Sequence, residues 1–166
     1  MARPAFGIRP GTPRDAAAIV MLIRELARYE RLLPEVKITP AQVRRHGFGP
    51  RAYFQTLICR SGGRPVGLAL YFFTYSSFLG KPVLWLEDLV VLRGERGRGA
   101  GKALLRALAR IAVARGCGRM EWSVLDWNAP AIRFYRRIGA RLDKEWIITR
   151  LKDAPLRRLA RSSRAR

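Results

Sequence analysis

Two adjacent carboxylates, Glu87 and Asp88, interrupt an otherwise apolar run over residues 83–92. Acids inside a core strand are costly to bury unless their charge is compensated or used. In a cleft, a carboxylate can hold a cation, and one whose pKa is raised by burial or by a like-charged neighbour can act as a general base. Asp88 suits the electrostatic holder, although strand alternation equally allows it the face opposite Glu87, so one of the pair is expected to face the cleft. Shortly after them, Arg96-Gly97-Arg98-Gly99-Ala100-Gly101 stands between a strand pattern and a helical one. Free backbone N–H groups and the helix dipole favour an anion there, and a phosphate is the natural occupant. Two common nucleotide motifs do not fit: a Walker loop needs Ser or Thr after Gly101-Lys102, where this chain has Ala103, and a dinucleotide fingerprint needs glycine in place of Lys102. Read alone, the stretch is also a plain glycine-rich turn. Tyr135 offers a phenol, yet Ala131 and Ile138 share its helical face, which equally describes core packing. Cys59, Cys117 and the lone His46 form neither a disulfide framework nor a metal-ligand cluster, and His46 and Cys117 are expected to be structural.

Positioning these groups falls to a regular alternation of elements. Residues 6–9 start extended; Thr12-Pro13 then gives an N-cap and first helical residue, and Ile19, Leu22, Ile23 and Leu26 recur at helical spacing to about Tyr29, with Arg24 and Arg28 on the wet side. Thr39-Pro40-Ala41-Gln42 is a capping box for a short second helix ending before Gly47. Residues 53–60 and 65–75 flank a Ser-Gly-Gly turn and read as a hairpin, and a turn at 80–82 leads into 83–92. Leu104, Leu105, Leu108, Ile111 and Ala112 give a long amphipathic helix closed by Gly116. Residues 120–125 return to strand, Asn128 caps a helix running to Gly139, and 146–151 reads as a last strand. The order β-α-α-β-β-β-α-β-α-β implies a mixed sheet with helices on both faces.

A chain of 166 residues, 49% hydrophobic and 27% charged, suits one folded domain and excludes wholesale disorder. The domain is expected over 1–151, with a basic tail over 152–166. The longest apolar stretch, 66–73, falls well short of the roughly 20 residues that cross a bilayer, and the N-terminal stretch has no apolar signal core, so a cytoplasmic protein is expected. With 33 basic against 12 acidic side chains the net charge is +21; the tail holds six of the bases and one acid, so the excess is spread over the chain. That field attracts nucleic acid, acidic membrane or a phosphate-rich small ligand alike. No nucleic-acid motif accompanies it, which leaves only non-specific binding of that kind to expect.

Taken in order, IRP, LIRELARYE, GFG, VGLALYFFTY, LGK, LWLEDLVV, RGRGAG and DWNAPAIRFYRRIGA resemble the diamine (spermidine/spermine) acetyltransferase branch of the GNAT superfamily, over roughly residues 7–151. The spacing Arg-x-x-Gly-x-Gly resembles its pyrophosphate loop, and Trp127-Asn128-Ala129-Pro130 with Phe134-Tyr135 and Gly139-Ala140 strengthens the match. The resemblance implies an α/β (α+β) fold with a mixed, mostly antiparallel central sheet, acetyl-coenzyme A as donor, no metal, and a homodimer. It implies a donor site of Arg96, Gly97, Arg98, Gly99, Ala100, Gly101, Lys102, Asn128, Pro130, Ala131 and Tyr135, with backbone groups of Leu89, Val90 and Val91 pairing the pantetheine arm as if it were another strand. Glu87 takes the role of general base acting through ordered water, and Tyr135 that of the acid that protonates the leaving thiolate. Tyr29, Glu30, Glu87, Asp88, Glu121, Trp122 and Ser123 are the implied contacts of the acceptor.

That acceptor is expected to be a primary amine of a small molecule: a polyamine, a diamine or a lysine- or thialysine-like compound. The polyamine enzymes carry an acid where this chain has Ser76, and a protein at +21 repels a polycation at long range, so a smaller amine weighs at least as much. Acetylation of a protein lysine or N-terminus, and a non-enzymatic basic module suggested by RRLARSSRAR, are the alternatives.

Overall fold

In the computed structural model, which describes residues 6–161, five strands form one sheet in the order β1-β2-β3-β4-β5. They are β1 (Gly7–Pro10), β2 (Gln55–Ser61), β3 (Arg64–Ser76), β4 (Lys81–Val91) and β5 (Arg119–Trp122). The first four pair antiparallel, while β5 lies parallel to β4, as a strand reached through a crossover helix must. Gly62 and Gly63, both at positive φ, make the two-residue hairpin turn between β2 and β3.

The helices form where caps and periodicity place them. Thr12 opens a short 3-10 turn, Pro13–Asp15, before α1 (Ala16–Tyr29), so the first turn that the Thr12-Pro13 signal marks is tighter than α-helical. Asp15, 7% exposed, accepts from the Thr12 backbone N–H at 2.8 Å, and both of its oxygens accept from the Arg9 guanidinium at 2.7 Å. The Arg9 hydrogen bonds hold its carboxyl well below the usual carboxylate range. At α2 (Pro40–Phe48) the Thr39 hydroxyl accepts from the Gln42 N–H while the Gln42 side chain accepts from the Thr39 N–H, which is the capping box read from the sequence.

Ile19 and Leu22 of α1 and Val43 of α2 pack on Ile58, Leu68 and Val90, three residues side by side in the ladder. The alternate residues face the other way. A Cβ at Gly67 would lie 3.2 Å from Cys59 Cβ and 3.3 Å from Leu104 of α3 (Ala100–Ala114), so α3 covers the opposite face and only glycine lets it approach so closely. Helices thus lie on both faces of a mixed, mostly antiparallel sheet.

Two compact units divide the chain, Met1–Ser123 and Val124–Arg166. In the second, α4 (Ala129–Arg137) follows Asn128, whose side-chain oxygen accepts from the Ala131 N–H at 3.3 Å. One expectation fails here. Residues 146–151 form no strand: Trp146 and Ile147 are 81% and 86% exposed, because β-branched and aromatic residues take strand structure only on a pleated surface that packs them, and no ladder offers one. The basic tail is a helix over part of its length, α5 (Asp153–Arg161), with Leu156 and Leu159 exposed. The strand expected over 120–125 also ends early, at Trp122.

Candidate active site

The ladder between β3 and β4 slips by one residue at the acid pair. Leu70 opposes Asp88 and Tyr71 opposes Leu86, which leaves Glu87 as the extra residue of a β-bulge. The slip decides where the carboxylates point. Asp88 lies opposite Leu70 and Trp85 opposite Phe72, so both fall on the face that carries α1, although their separation in sequence would put them on opposite faces of a regular strand. Glu87 accepts a hydrogen bond from the Trp85 indole N–H at 2.8 Å and is itself exposed. Asp88 is partly buried; burial, then the charges of Glu87 and Glu30, push its carboxyl up to about 7. Glu30, just past the end of α1, is pushed up by its own burial. In register beside Trp85, Glu121 of β5 is paired with Arg119 at 2.6 Å, and Trp122 stands beside Leu86. Four of the chain's 12 acids therefore belong to this one region of a protein at +21. Ser123 follows directly on β5.

Past the bulge, β4 outruns its neighbour. β5 pairs with it only over residues 83–86, so the outer edge of β4 continues to Val91 with no strand beside it in this unit. The Leu92 N–H donates to the Val66 carbonyl at 2.9 Å and Val91 opposes Gly67. Hydrogen-bonded and non-bonded pairs alternate along an antiparallel ladder, so the backbone groups of Leu89 and Val91 face the open edge and those of Val90 face β3. Such an edge can take an extended polar arm as an added strand.

At the end of that edge lies the glycine loop. Gly97 and Gly99 have φ of 75° and 102°, and a Cβ on either would meet open space, so glycine is required by backbone conformation and not by room. Ala100, Gly101 and Lys102 then open α3, whose first turn carries no acid. Its leading N–H groups lack helical acceptors and its dipole is positive there, which fits a phosphate group.

Two arginines of the loop are engaged. Arg98 is held at 2.6 Å by Glu95, whose side chain is 13% exposed and also lies 3.9 Å from Arg64. Arg96 donates through Nε to the Val91 carbonyl at 2.9 Å and stacks its guanidinium 4.6 Å above the Tyr29 ring centroid. Neither Trp85 nor Glu95 was singled out from the sequence; the signals were a polar-capable aromatic two residues before Glu87 and an acid beside the loop's arginines.

The remaining expected residues belong to the second unit. Asn128 caps α4, Pro130 and Ala131 form its first turn, and the rings of Phe134 and Tyr135 stand 5.5 Å apart and tilted. Among the described residues, no group of three or more His, Cys, Asp or Glu side chains could hold a metal ion, and no helix is long and apolar enough to cross a membrane.

Comparison with known proteins gives a matching context. The model of the acetyltransferase (GNAT) family matches residues 21–140. Thialysine N-epsilon-acetyltransferase of Mus musculus is 35% identical over 164 residues, covering 92% of this chain and 96% of its own length. Spermidine/spermine N(1)-acetyltransferase-like protein 1 of Homo sapiens is 39% identical over 142 residues, covering 81% of this chain and 20% of its own. Among solved structures, an integron cassette protein from the mobile metagenome of V. cholerae superposes with a TM-score of 0.79 at 24% identity, covering 95% of this chain and 98% of that one. The aminoglycoside N-acetyltransferase AAC(6')-Iy in complex with CoA does so at 0.68 and 19%, covering 90% and 97%.

Proposed function

This chain belongs to the acetyltransferase (GNAT) family, and from that premise we propose that it moves the acetyl group of acetyl-coenzyme A directly to a primary amine of a small molecule. The observation that carries the reading is Asp88: a partly buried carboxyl beside Glu30 and Glu87, on the strand that leads into a phosphate-compatible loop. An alkylammonium has a pKa of about 10.4 and must lose a proton before its nitrogen can attack. A carboxylate raised from about 4 to near 7 takes that proton about a thousandfold more favourably than an ordinary one.

We read Asp88 as the proton acceptor and Glu87, exposed and engaged by the Trp85 indole, as the group that draws in and holds the ammonium. This exchanges the two roles that the family resemblance suggests. Tyr29, Glu30, Glu121 and Ser123 complete the acceptor side in this reading, whereas Trp122, in register with Leu86, falls on the opposite face of the sheet and is left out of it. The donor supplies an activated thioester. The loop from Gly97 to Lys102 binds its phosphates through backbone N–H groups, and Leu89 and Val91 align its arm along the open edge of β4. Asn128, Pro130 and Ala131 at the start of α4 contact that arm, and the Tyr135 hydroxyl returns a proton to the departing sulfur. A local concentration of acids lets a cationic amine approach a molecule whose overall charge repels it.

The names of relatives point to thialysine, to L-ornithine and to spermidine or spermine. Without an acid at Ser76, the compact diamino acids are the favoured class here. A homodimer accords with the exposed Trp146, Ile147 and Ile148, and sedimentation at micromolar concentration reads it. The test of the function is calorimetric titration with coenzyme A at moderate salt, followed by thiol release with thialysine, L-ornithine and spermidine. Micromolar binding and turnover of a diamino acid are expected. No coenzyme binding, together with salt-sensitive binding of oligonucleotides, would replace this reading by a basic polyanion-binding module.

A further inference from the structure

Arg96 is the first residue of the glycine loop, and by position alone it is a ligand for the donor's phosphates. Its side chain is committed elsewhere. Nε donates to the carbonyl of Val91, a backbone group on the open edge of β4, and the guanidinium lies on the ring of Tyr29, the last residue of α1. Glu30 follows Tyr29 directly, and its charge is one of those felt by Asp88. Between the loop and the acids there is thus an unbroken run of neighbours: a stacked cation and ring, a peptide bond, and two interacting carboxyls. Only a planar guanidinium can lie flat on the ring while aiming one N–H in its own plane at a carbonyl; an ammonium keeps the charge and loses that combination.

We propose that Arg96 is a positioning residue that couples the two halves of the site: it fixes the end of α1, with Tyr29 and Glu30, against the strand edge and loop where the donor binds. The proposal rests on the acetyl-transfer reading above. A ligand that pins the loop and the β4 edge also pins Arg96, and through it the Tyr29–Glu30 corner. An amine binding next then orders less of the protein, so its affinity rises, and by linkage the amine raises donor affinity by the same factor.

The experiment is calorimetry on the full chain with thialysine as the probe amine, without and with saturating coenzyme A, for the wild type, Arg96→Lys, Tyr29→Leu and the double variant. Amine KM at low and saturating acetyl-coenzyme A gives the same coupling kinetically. The wild type is expected to bind thialysine about fivefold or more tightly when coenzyme A is bound, a typical coupling strength. Arg96→Lys should reduce that factor to less than about twofold while coenzyme A itself binds within about threefold of wild type. The double variant should be no worse than either single one, because both remove one contact. The proposal is overturned if Arg96→Lys weakens coenzyme A more than tenfold and leaves the coupling factor intact, which makes Arg96 a plain phosphate ligand, or if the wild type binds both ligands independently. Coenzyme A that fails to bind the wild type at all overturns the acetyl-transfer reading itself, a result distinct from either.

Discussion

The loop proposed for the donor's phosphates and the acids proposed for the amine lie at successive stations along the end of β4, yet they are made of different materials. The loop is backbone: two positive-φ glycines, the first turn of α3 and a strand edge that has no neighbour among the described residues of its unit. Among the described residues, the carboxylate in its ionic contacts is Glu95, which is occupied with Arg98 and Arg64. The amine end is side chain: Glu30, Glu87 and Asp88 reach one region because a helix ends there and a bulge removes one step of alternation. Backbone donors need a conformation and tolerate most side chains around them. Charged side chains need neighbours to set their protonation, so the amine end depends on packing that the loop can ignore.

The sharpest break between the two is Gly99→Glu. It forces a side chain onto a left-handed backbone and puts a negative charge at the helix N-terminus, so coenzyme A affinity by calorimetry should fall about a hundredfold or more, while circular dichroism stays that of the wild type. Asp88→Asn should do the converse: turnover falls about a hundredfold and coenzyme A binding is unchanged. In the wild type, kcat/KM for the amine should rise with pH through about 7, where the Asp88 carboxyl ionises, and Asp88→Asn should remove that limb. If Glu87→Gln removes it instead, the two roles return to the assignment that the family resemblance gives.

A stability measurement sharpens the same contrast. The folded protein holds the Asp88 proton more tightly than the unfolded chain, so ionising it costs stability as pH rises from about 4 through 7. Asp88→Asn removes that cost and should raise unfolding free energy by about 1–2 kcal/mol at pH 8 relative to wild type, with no gain at pH 4. The smallest effect belongs to the loop. Glu95→Gln frees Arg98 and removes a negative charge beside the phosphate site, which should tighten coenzyme A about two- to fivefold at low salt and much less at high salt. A larger change, or one insensitive to salt, would mean that Glu95 shapes the loop and does not merely offset its charge.

How much of this was legible before the structure follows the same division. The loop's backbone course could be read directly, because glycines between a strand pattern and a helical one mark a turn whose positive φ other residues resist in any fold. The capping box at Thr39 and the glycine pair at 62–63 were equally local. The acid pair was visible as an anomaly, but its direction was not: strand alternation predicts opposite faces, and a bulge is a property of two strands in register. Residues 146–151 failed in the same way, since the run has every intrinsic mark of a strand and no partner in the ladder. The sequence makes Arg96 a loop residue, and its stacking on Tyr29 depends on a helix far away in sequence.

The sequence by itself determined the order of elements, their caps and turns, the glycine loop and the family resemblance, because each depends on residues close together in the chain. Tertiary structure alone decided which face Asp88 takes, why its carboxyl titrates near neutrality, and where Arg96 directs its side chain. Those outcomes depend on desolvation and on the spacing of charges carried by different elements, and both come into being only when the sheet is in register and α1 lies across it.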